Sequence, residues 1–400
     1  MPDSKPFRFL PNTCVAILCF FLLFAIKKPL RAQVPDSTTQ VSLITVGPGD
    51  DLYSSFGHSL FWFNDQAKGV DASYNYGGFS FQTENFYLKF LRGTLPYKID
   101  KYPLAPQVYG WQYENRSVTL QVLNLTIPQK QRLYALLEEN LLPQNQEYHY
   151  RFFYDNCATR LQDLLIKVCG DSLRYEGYPG EQKSFREWID QYAYRQKPWA
   201  DFGMDLAIGK PADKEATPMQ ATFLPDNLHD AFAAAQVIIN GKPEPLVKGE
   251  QVIFKAAPRA EPGFLTPKVF FWLLALLAGL LTLWQIKKNK IQFTFDKILF
   301  SLCGIAGIVL LALWVGTDHE DTVLNWDILW ANPLLFFIAG GLSARVRKPW
   351  ISIALIVYAV FLIAGTINID KHNQVLIPIL LTLVIRIYYI NKTLPKIPTS

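Results

Sequence analysis

Residues 148–170 read YHYRFFYDNCATRLQDLLIKVCG. In the second half Leu161, Leu164, Leu165 and Val168 recur at helical spacing. Gly170 stands where a helix ends on a left-handed residue, and Asn156 or Asp155 is the natural N-cap. Cys157 is therefore expected to open a helix that closes near Cys169. Twelve helical steps between the two sulfurs span about 18 Å, whereas a disulfide tolerates only about 7 Å between Cα atoms. The spacing predicts two free thiols.

A cysteine at a helix N-terminus has a chemical meaning. The helix dipole and the free N–H groups there stabilise a thiolate, and a backbone amide can hold an oxyanion. Such a thiol needs a base. Residues 33–267 offer His58, His149 and His229. His58 begins the aromatic run HSLFWFN (58–64), just after a Gly-rich turn. His149 immediately precedes the Cys157 helix, and His229 lies in an Ala-rich helical stretch without a polar setting. The plainer reading is a small core cysteine and a hydrogen-bonded core histidine.

Working outward, the pattern is that of a mixed α/β domain. VSLITVGPG (41–49) reads as a strand and turn, and HSLFWFN and VDASYNYGG (70–78) as a hairpin around NDQAKG. ENFYLKFLRG (84–93) reads as a short helix or irregular element, and Val118, Leu120 and Val122 as a strand. PQKQRLYALLEENLL (128–142) reads as an amphipathic helix with Pro128 in its first turn. On the return strand Asp71 and Asn75 share one face, so either could orient His58. Asn75 is the preferred third member, and Asp71 is equally suited to capping the turn.

The two ends of the chain set its surroundings. Residues 1–32 have a basic start at Lys5 and Arg8 and a 13-residue apolar run, Cys14 to Ile26, as a signal peptide or uncleaved anchor does. Residues 33–267 are then exported. From Lys268 onward five apolar stretches of roughly membrane-spanning length follow, at about 269–286, 298–317, 328–344, 349–369 and 372–391, the last interrupted by Arg386 at a depth where it could snorkel. Basic loops (Lys287, Lys288, Lys290 and Lys297; Arg345, Arg347 and Lys348; the tail with Lys392 and Lys396) alternate with a loop holding Asp318, Glu320, Asp321 and Asp327 and with one holding Asp370 and Lys371. That alternation puts the domain outside and the C-terminus in the cytoplasm. Trp272, Trp284, Trp314, Trp326, Trp330 and Trp350 fall at span ends, as interfacial anchors do. The net charge of +5 drops to about +1 without the first 32 residues, which carry five basic residues and one acidic, so no broad nucleic-acid surface is expected.

The motifs GPGDDLYSSFGHSLFWF, DASYNYGGFSF, NFYLKFLRGTLPY and FFYDNCATRLQD together resemble the N-terminal periplasmic domain of the Lnb-type lipoprotein N-acyltransferases of Bacteroidota. The likeness spans roughly 40–240 and continues into DHEDTVLNWDILWANPL, similar to the outer loop of that family's five-span domain. The order of His on a strand, then Cys opening a helix, also resembles permuted papain-like folds, among them lecithin:retinol acyltransferase and NlpC-type peptidases. The resemblance implies an α+β, permuted papain-like domain followed by an all-α membrane domain of five helices. It implies Cys157 as nucleophile and His58 as base, with Asn75 or Asp71 as third group and Tyr154 and Asn156 as support. Arg160, otherwise a salt-bridge partner for Asp163, could meet a phosphate or carboxylate. His319 in the acidic loop could touch substrate or be merely solvated.

The activity so implied moves an acyl chain from a membrane phospholipid to the α-amine of a lipidated N-terminal cysteine, through a Cys157 thioester. It needs no cofactor, and no metal is expected, since the histidines are scattered and no Cys-x-x-Cys occurs. The partners are membrane phospholipids and lipidated exported proteins at the inner membrane. Other readings stay open: a papain-like peptidase or amidase acting on cell-wall peptides, acyl migration within one lipoprotein, and a non-enzymatic membrane receptor.

Overall fold

The computed structural model describes residues 34–175, 181–343, 349–367 and 374–394. The leader 1–32, the loops 345–348 and 368–373 and the end of the tail with Lys396 lie outside the described residues.

An antiparallel sheet organises the first part. Its strands are β1 (Gln40–Val46), β2 (His58–Asp65), β3 (Val70–Gly78), β4 (Pro96–Tyr102), β5 (Val118–Leu123), β6 (Glu147–His149) and β7 (Val247–Phe254), in the spatial order β7-β5-β1-β2-β3-β4-β6. The expected hairpin is β2–β3, with Gly69 in the left-handed region closing its turn. Between β3 and β4 lies α1 (Phe86–Arg92), and between β4 and β5 lies α2 (Leu104–Tyr113). α3 (Ile127–Asn140) follows with Pro128 in its first turn and a Thr126–Gln129 capping box.

α4 (Cys157–Cys169) runs along one face of the sheet. Ala158, Leu161 and Leu165 are fully buried there against Phe61, Phe63 and Tyr74. Removing such apolar surface from water is what holds helix to sheet, at about 25 cal/mol per Å². Cys157 and Cys169 are both free, at opposite ends of the helix. α2 packs on the opposite face, where Leu104, Val108 and Trp111 join Ile44, Leu60 and Leu120. Beyond α4 come α5 (Phe185–Gln196), α6 (Pro198–Ala207) and α7 (Pro225–Ala234).

The helical part contains α8 (Pro267–Lys287), α9 (Thr294–Gly316), α10 (Leu334–Gly341), α11 (Pro349–Ile367) and α12 (Leu376–Thr393). α8, α9 and α12 are long and apolar enough to cross a membrane, and Trp350–Thr366 of α11 is a shorter apolar stretch. The 328–344 run differs from the expected continuous span. It holds a single turn at Trp326–Leu329, and then α10, eight residues or about 12 Å long. Pro333 separates them, because its ring cannot continue a helix through that point. Trp330 departs from the interfacial role. It is buried, its Nε1 donates to Asp327 and its carbonyl accepts from Tyr358.

Arg386 also departs from expectation. Instead of snorkelling outward it is fully buried and forked onto Asp296, with Nε–Oδ1 at 2.6 Å and Nη2–Oδ2 at 2.7 Å. Its remaining nitrogen reaches Thr282 and Gln285, so one guanidinium ties α8, α9 and α12 together.

The acidic loop after α9 is clamped to the α/β part. The Asp318 N–H donates to Arg92 O, the Gly209 N–H to Asp321 O, and the Asn325 side chain to Leu206 O, while Arg151 pairs with Glu320. Phe202 and Trp199 of α6 pack on Phe271 of α8.

Candidate active site around Cys157

The site begins with a glycine. Gly57 has φ +81°, and a Cβ there would lie 2.6 Å from the Val46 carbonyl. Only glycine turns the chain so tightly back into β2, and His58 is the first residue after that turn.

β3 pairs with β2 only from Phe61 onward. The first residues of β2 are thus left without a β3 neighbour, and the N-terminus of α4 fills the gap. The Ser59 N–H, one peptide bond after His58, lies near Cys157 Sγ, as do the N–H groups of Cys157 and Ala158. These donors favour thiolate. Burial opposes them and is the larger effect, so the thiol is raised above its ordinary value. The helix dipole alone had suggested a stabilised thiolate, and the buried setting reverses that sign. His58 is pushed down to about 4, chiefly by burial. At neutral pH the thiol and the imidazole are therefore both uncharged.

A hydrogen-bond chain fixes which imidazole nitrogen is the base. The Pro103 carbonyl can only accept, so the amide 2.9 Å away is Gln107 Nε2. Gln107 Oε1 then accepts from Asn75 Nδ2 at 3.3 Å. Asn75 Oδ1 in turn accepts from His58 Nε2 at 2.6 Å. The proton sits on Nε2, and Nδ1 keeps its lone pair. α2 reads the polar face of β3 in order: the Leu104 N–H meets Asp71 and Gln107 meets Ser73 and Asn75. Asp71 is thereby occupied at the start of α2 and with Trp62 Nε1, at 2.7 Å. Asn75 is the one that reaches His58.

Asn156 is the N-cap. Its side-chain oxygen accepts from the Ala158 and Thr159 N–H groups at 2.8 and 3.0 Å, and its amide donates to the Phe152 and Phe223 carbonyls. Asn156→Ala is expected to cost about 2 kcal/mol or more, from the lost cap plus two orphaned buried carbonyls. Asn156→Asp keeps the acceptor and should fall between. Thermal unfolding of the three proteins checks this, and an alanine variant as stable as wild type would refute it.

The other residues singled out from the sequence sit as follows. Arg160 pairs with Asp155, not Asp163, at 2.6 and 2.8 Å, and its guanidinium lies 3.6 Å from the centre of the Tyr148 ring. Its edge is thus engaged by Asp155 and one face by Tyr148. Tyr154 is partly exposed, beside Arg151 and Phe185. His319 packs against Gly93 and faces Phe90 O at 3.2 Å, so it docks the acidic loop on α1. His149 faces the Gly93 carbonyl at 2.6 Å. His229, expected in an apolar setting, lies between Asp230 and Glu250.

Sequence reasoning missed Tyr148, Ser59 and Gln107. The Tyr148 hydroxyl is buried and has no hydrogen-bond partner among the described residues, and its ring lies under the Arg160 guanidinium, one turn along the Cys157 helix. A buried phenol without a partner is costly. No sequence pattern marks these residues, since β6, β2 and α2 converge only in the fold.

Among the described residues one group of carboxylates could hold a cation: Asp190, Asp201 and Asp205. Burial raises Asp190 to about 8 and Asp201 to about 7, and Arg186 pairs with Asp205 and Asp213. Near neutral pH Asp190 and Asp201 are therefore protonated for much of the time, so the cluster does not present three full charges.

Two family models match the chain. One, the Lnb N-terminal periplasmic domain, matches residues 26–190, and the other, the Lnb transmembrane domain, matches residues 259–395. No curated protein and no solved structure matches it. The first match contains the whole Cys157–His58–Asn75 constellation and the second contains α8 to α12, and on these two matches the chain belongs to the Lnb family, an inner-membrane protein with a periplasmic domain followed by a helical membrane domain.

Proposed function

We propose that this chain is a lipoprotein N-acyltransferase that works through a Cys157 thioester. The family sets the chain in lipoprotein biogenesis. The observation that carries the finer reading is the directed chain Pro103–Gln107–Asn75–His58, which leaves a basic nitrogen at the start of β2, one residue before the Ser59 N–H that lies near Cys157 Sγ. A helix-capping cysteine over an antiparallel sheet led by its histidine strand also fits a permuted papain-like core.

The first step forms a C–S bond and breaks a phospholipid ester. His58 Nδ1 takes the thiol proton as sulfur attacks, then returns it to the departing lysolipid alkoxide. The Tyr148 hydroxyl donates to the tetrahedral oxyanion. In the second step the α-amine of a lipidated N-terminal cysteine attacks the thioester, His58 accepts the amine proton, and thiol and amide are released. Thioester to amide runs downhill without a cofactor. With the periplasmic domain outside, α8 runs inward and the C-terminus lies in the cytoplasm.

The test supplies the full-length protein in vesicles with chain-labelled phospholipid and a diacylated model lipoprotein. Mass spectrometry should find three chains on the product, the third carrying label. Two chains with one moved to the amine would establish internal migration instead, and cleavage of cell-wall peptides without lipid transfer would establish the peptidase reading.

A further inference from the structure

We infer that α1 and the turn before it form a lip that sits in the outer leaflet of the bilayer. α1 is an apolar helix with its best side turned outward. Tyr87 is 83% exposed, Leu88 56% and Leu91 54%, and Phe81 just upstream is 64% exposed. A contiguous apolar patch of this kind marks an interaction surface. Only Phe86 of the helix is buried.

The occupant follows from where α1 is anchored. α9 runs to Gly316, and the two residues after Thr317 bind α1 directly: the Asp318 N–H donates to Arg92 O at 2.9 Å and His319 faces Phe90 O. α1 also packs on α9 itself. A helix fixed to the outer end of a membrane span lies at the level of the lipid headgroups. Gly93, at φ +70° with the His319 ring 3.1 Å from where a Cβ would stand, ends α1 and lets the loop close on it. Lys89 and Arg92 in the last turn bring positive charge to the depth of the phosphates, as amphipathic interfacial helices do. The outward face is therefore covered by lipid.

The lip continues inward. Phe81 meets Phe86 at 4.9 Å, Phe79 joins Phe86 to Tyr97 at 6.0 and 5.6 Å, and Tyr97 stacks on Tyr150 at 4.5 Å. Tyr150 lies 6.4 Å from the Tyr148 ring, on the segment that leads into the Cys157 helix. These rings form an apolar wall leading from the leaflet toward the start of the Cys157 helix, along which an acyl chain can lie. This last role rests on the proposed acyl transfer, whereas the lipid contact does not.

The experiment installs a benzoylphenylalanine photoprobe at Leu88 of the full chain in phospholipid vesicles, with Ile166 as the control. Ile166 is also exposed, but lies nine residues along α4 from Cys157, about 13 Å further on. Irradiation should give phospholipid adducts at position 88 at least ten-fold more often than at 166. Equal yields at the two positions, or adducts to protein instead of lipid at 88, would overturn the lip. Acyl transfer by the Leu88→Asp/Leu91→Asp variant, read beside thioester formation from a short soluble thioester, tests the wall. Loss with the phospholipid alone supports it, and unchanged phospholipid transfer overturns it. If wild type transfers no acyl chain while position 88 still labels lipid, the acyltransferase reading fails and the lip stands.

Discussion

Cys157→Ser is expected to lower transfer of the labelled acyl chain by about 10⁴-fold or more, and to remove the thioester-linked acyl-enzyme altogether. The hydroxyl is a far weaker acid than the thiol, and the neutral His58 beside it is a weak base. His58→Ala should cost about 10²- to 10⁴-fold, and Tyr148→Phe about 10²- to 10³-fold by withdrawing one oxyanion donor. The pH profile follows from the half-buried His58 and the buried Cys157. His58, held down to about 4, stays neutral and competent until the pH falls through that value, so the acid limb of kcat/KM lies near 4, not near the ordinary histidine range. The thiol is raised, so iodoacetamide labelling of Cys157 at neutral pH should be slow and should speed up only in alkaline solution. Proton transfer in the resting enzyme is uphill, and it occurs together with attack on the ester. Fast labelling near pH 6 would mean a preformed thiolate–imidazolium pair and would sink this account. A serine variant with wild-type transfer would sink the nucleophile.

What the sequence disclosed about this site was local. The Cys157 helix was legible because Leu161, Leu164, Leu165 and Val168 repeat at its period and Asn156 caps it. The β2–β3 hairpin was legible from its turn, and within it the two-residue period narrowed the partner of His58 to Asn75 or Asp71. The choice between them needed α2, because only the packed helix shows Leu104 N–H occupying Asp71 and Gln107 orienting Asn75. The thiolate expectation erred for a related reason. A helix N-terminus is visible in sequence, but the desolvation that outweighs it is a property of the assembled core. Arg160 and His319 were read as candidate substrate contacts because they are polar residues near motifs. Asp155 with Tyr148, and α1, already engage them.

Asp296→Leu should destabilise the membrane domain by about 3–5 kcal/mol, the cost of leaving a buried charge without its partner. Asp296 and Arg386 lie ninety residues apart in sequence and are both fully buried. The guanidinium has spent its donors on Asp296, Thr282 and Gln285, and its face lies 4.3 Å from the centre of the Tyr389 ring. No water reaches it, and no other carboxylate pairs with it among the described residues. The three polar partners sit toward the ends of α8 and α9 remote from the acidic loop and meet Arg386 on α12, so the cluster ties the bundle there while the clamp on the periplasmic domain holds the other end. Loss of Asp296 should therefore splay these helix ends and lower the unfolding midpoint of the purified protein in detergent. The compensated Asp296→Leu/Arg386→Met variant removes both charges together and should recover most of the loss, because the desolvation penalty disappears with the ions. If Asp296→Leu unfolds like wild type, the pair does not hold the bundle. If the double variant is no better than the single one, the cost lies in lost packing and hydrogen bonds instead of an unpaired charge. Catalysis in the double variant should approach wild type, since neither residue belongs to the Cys157 constellation.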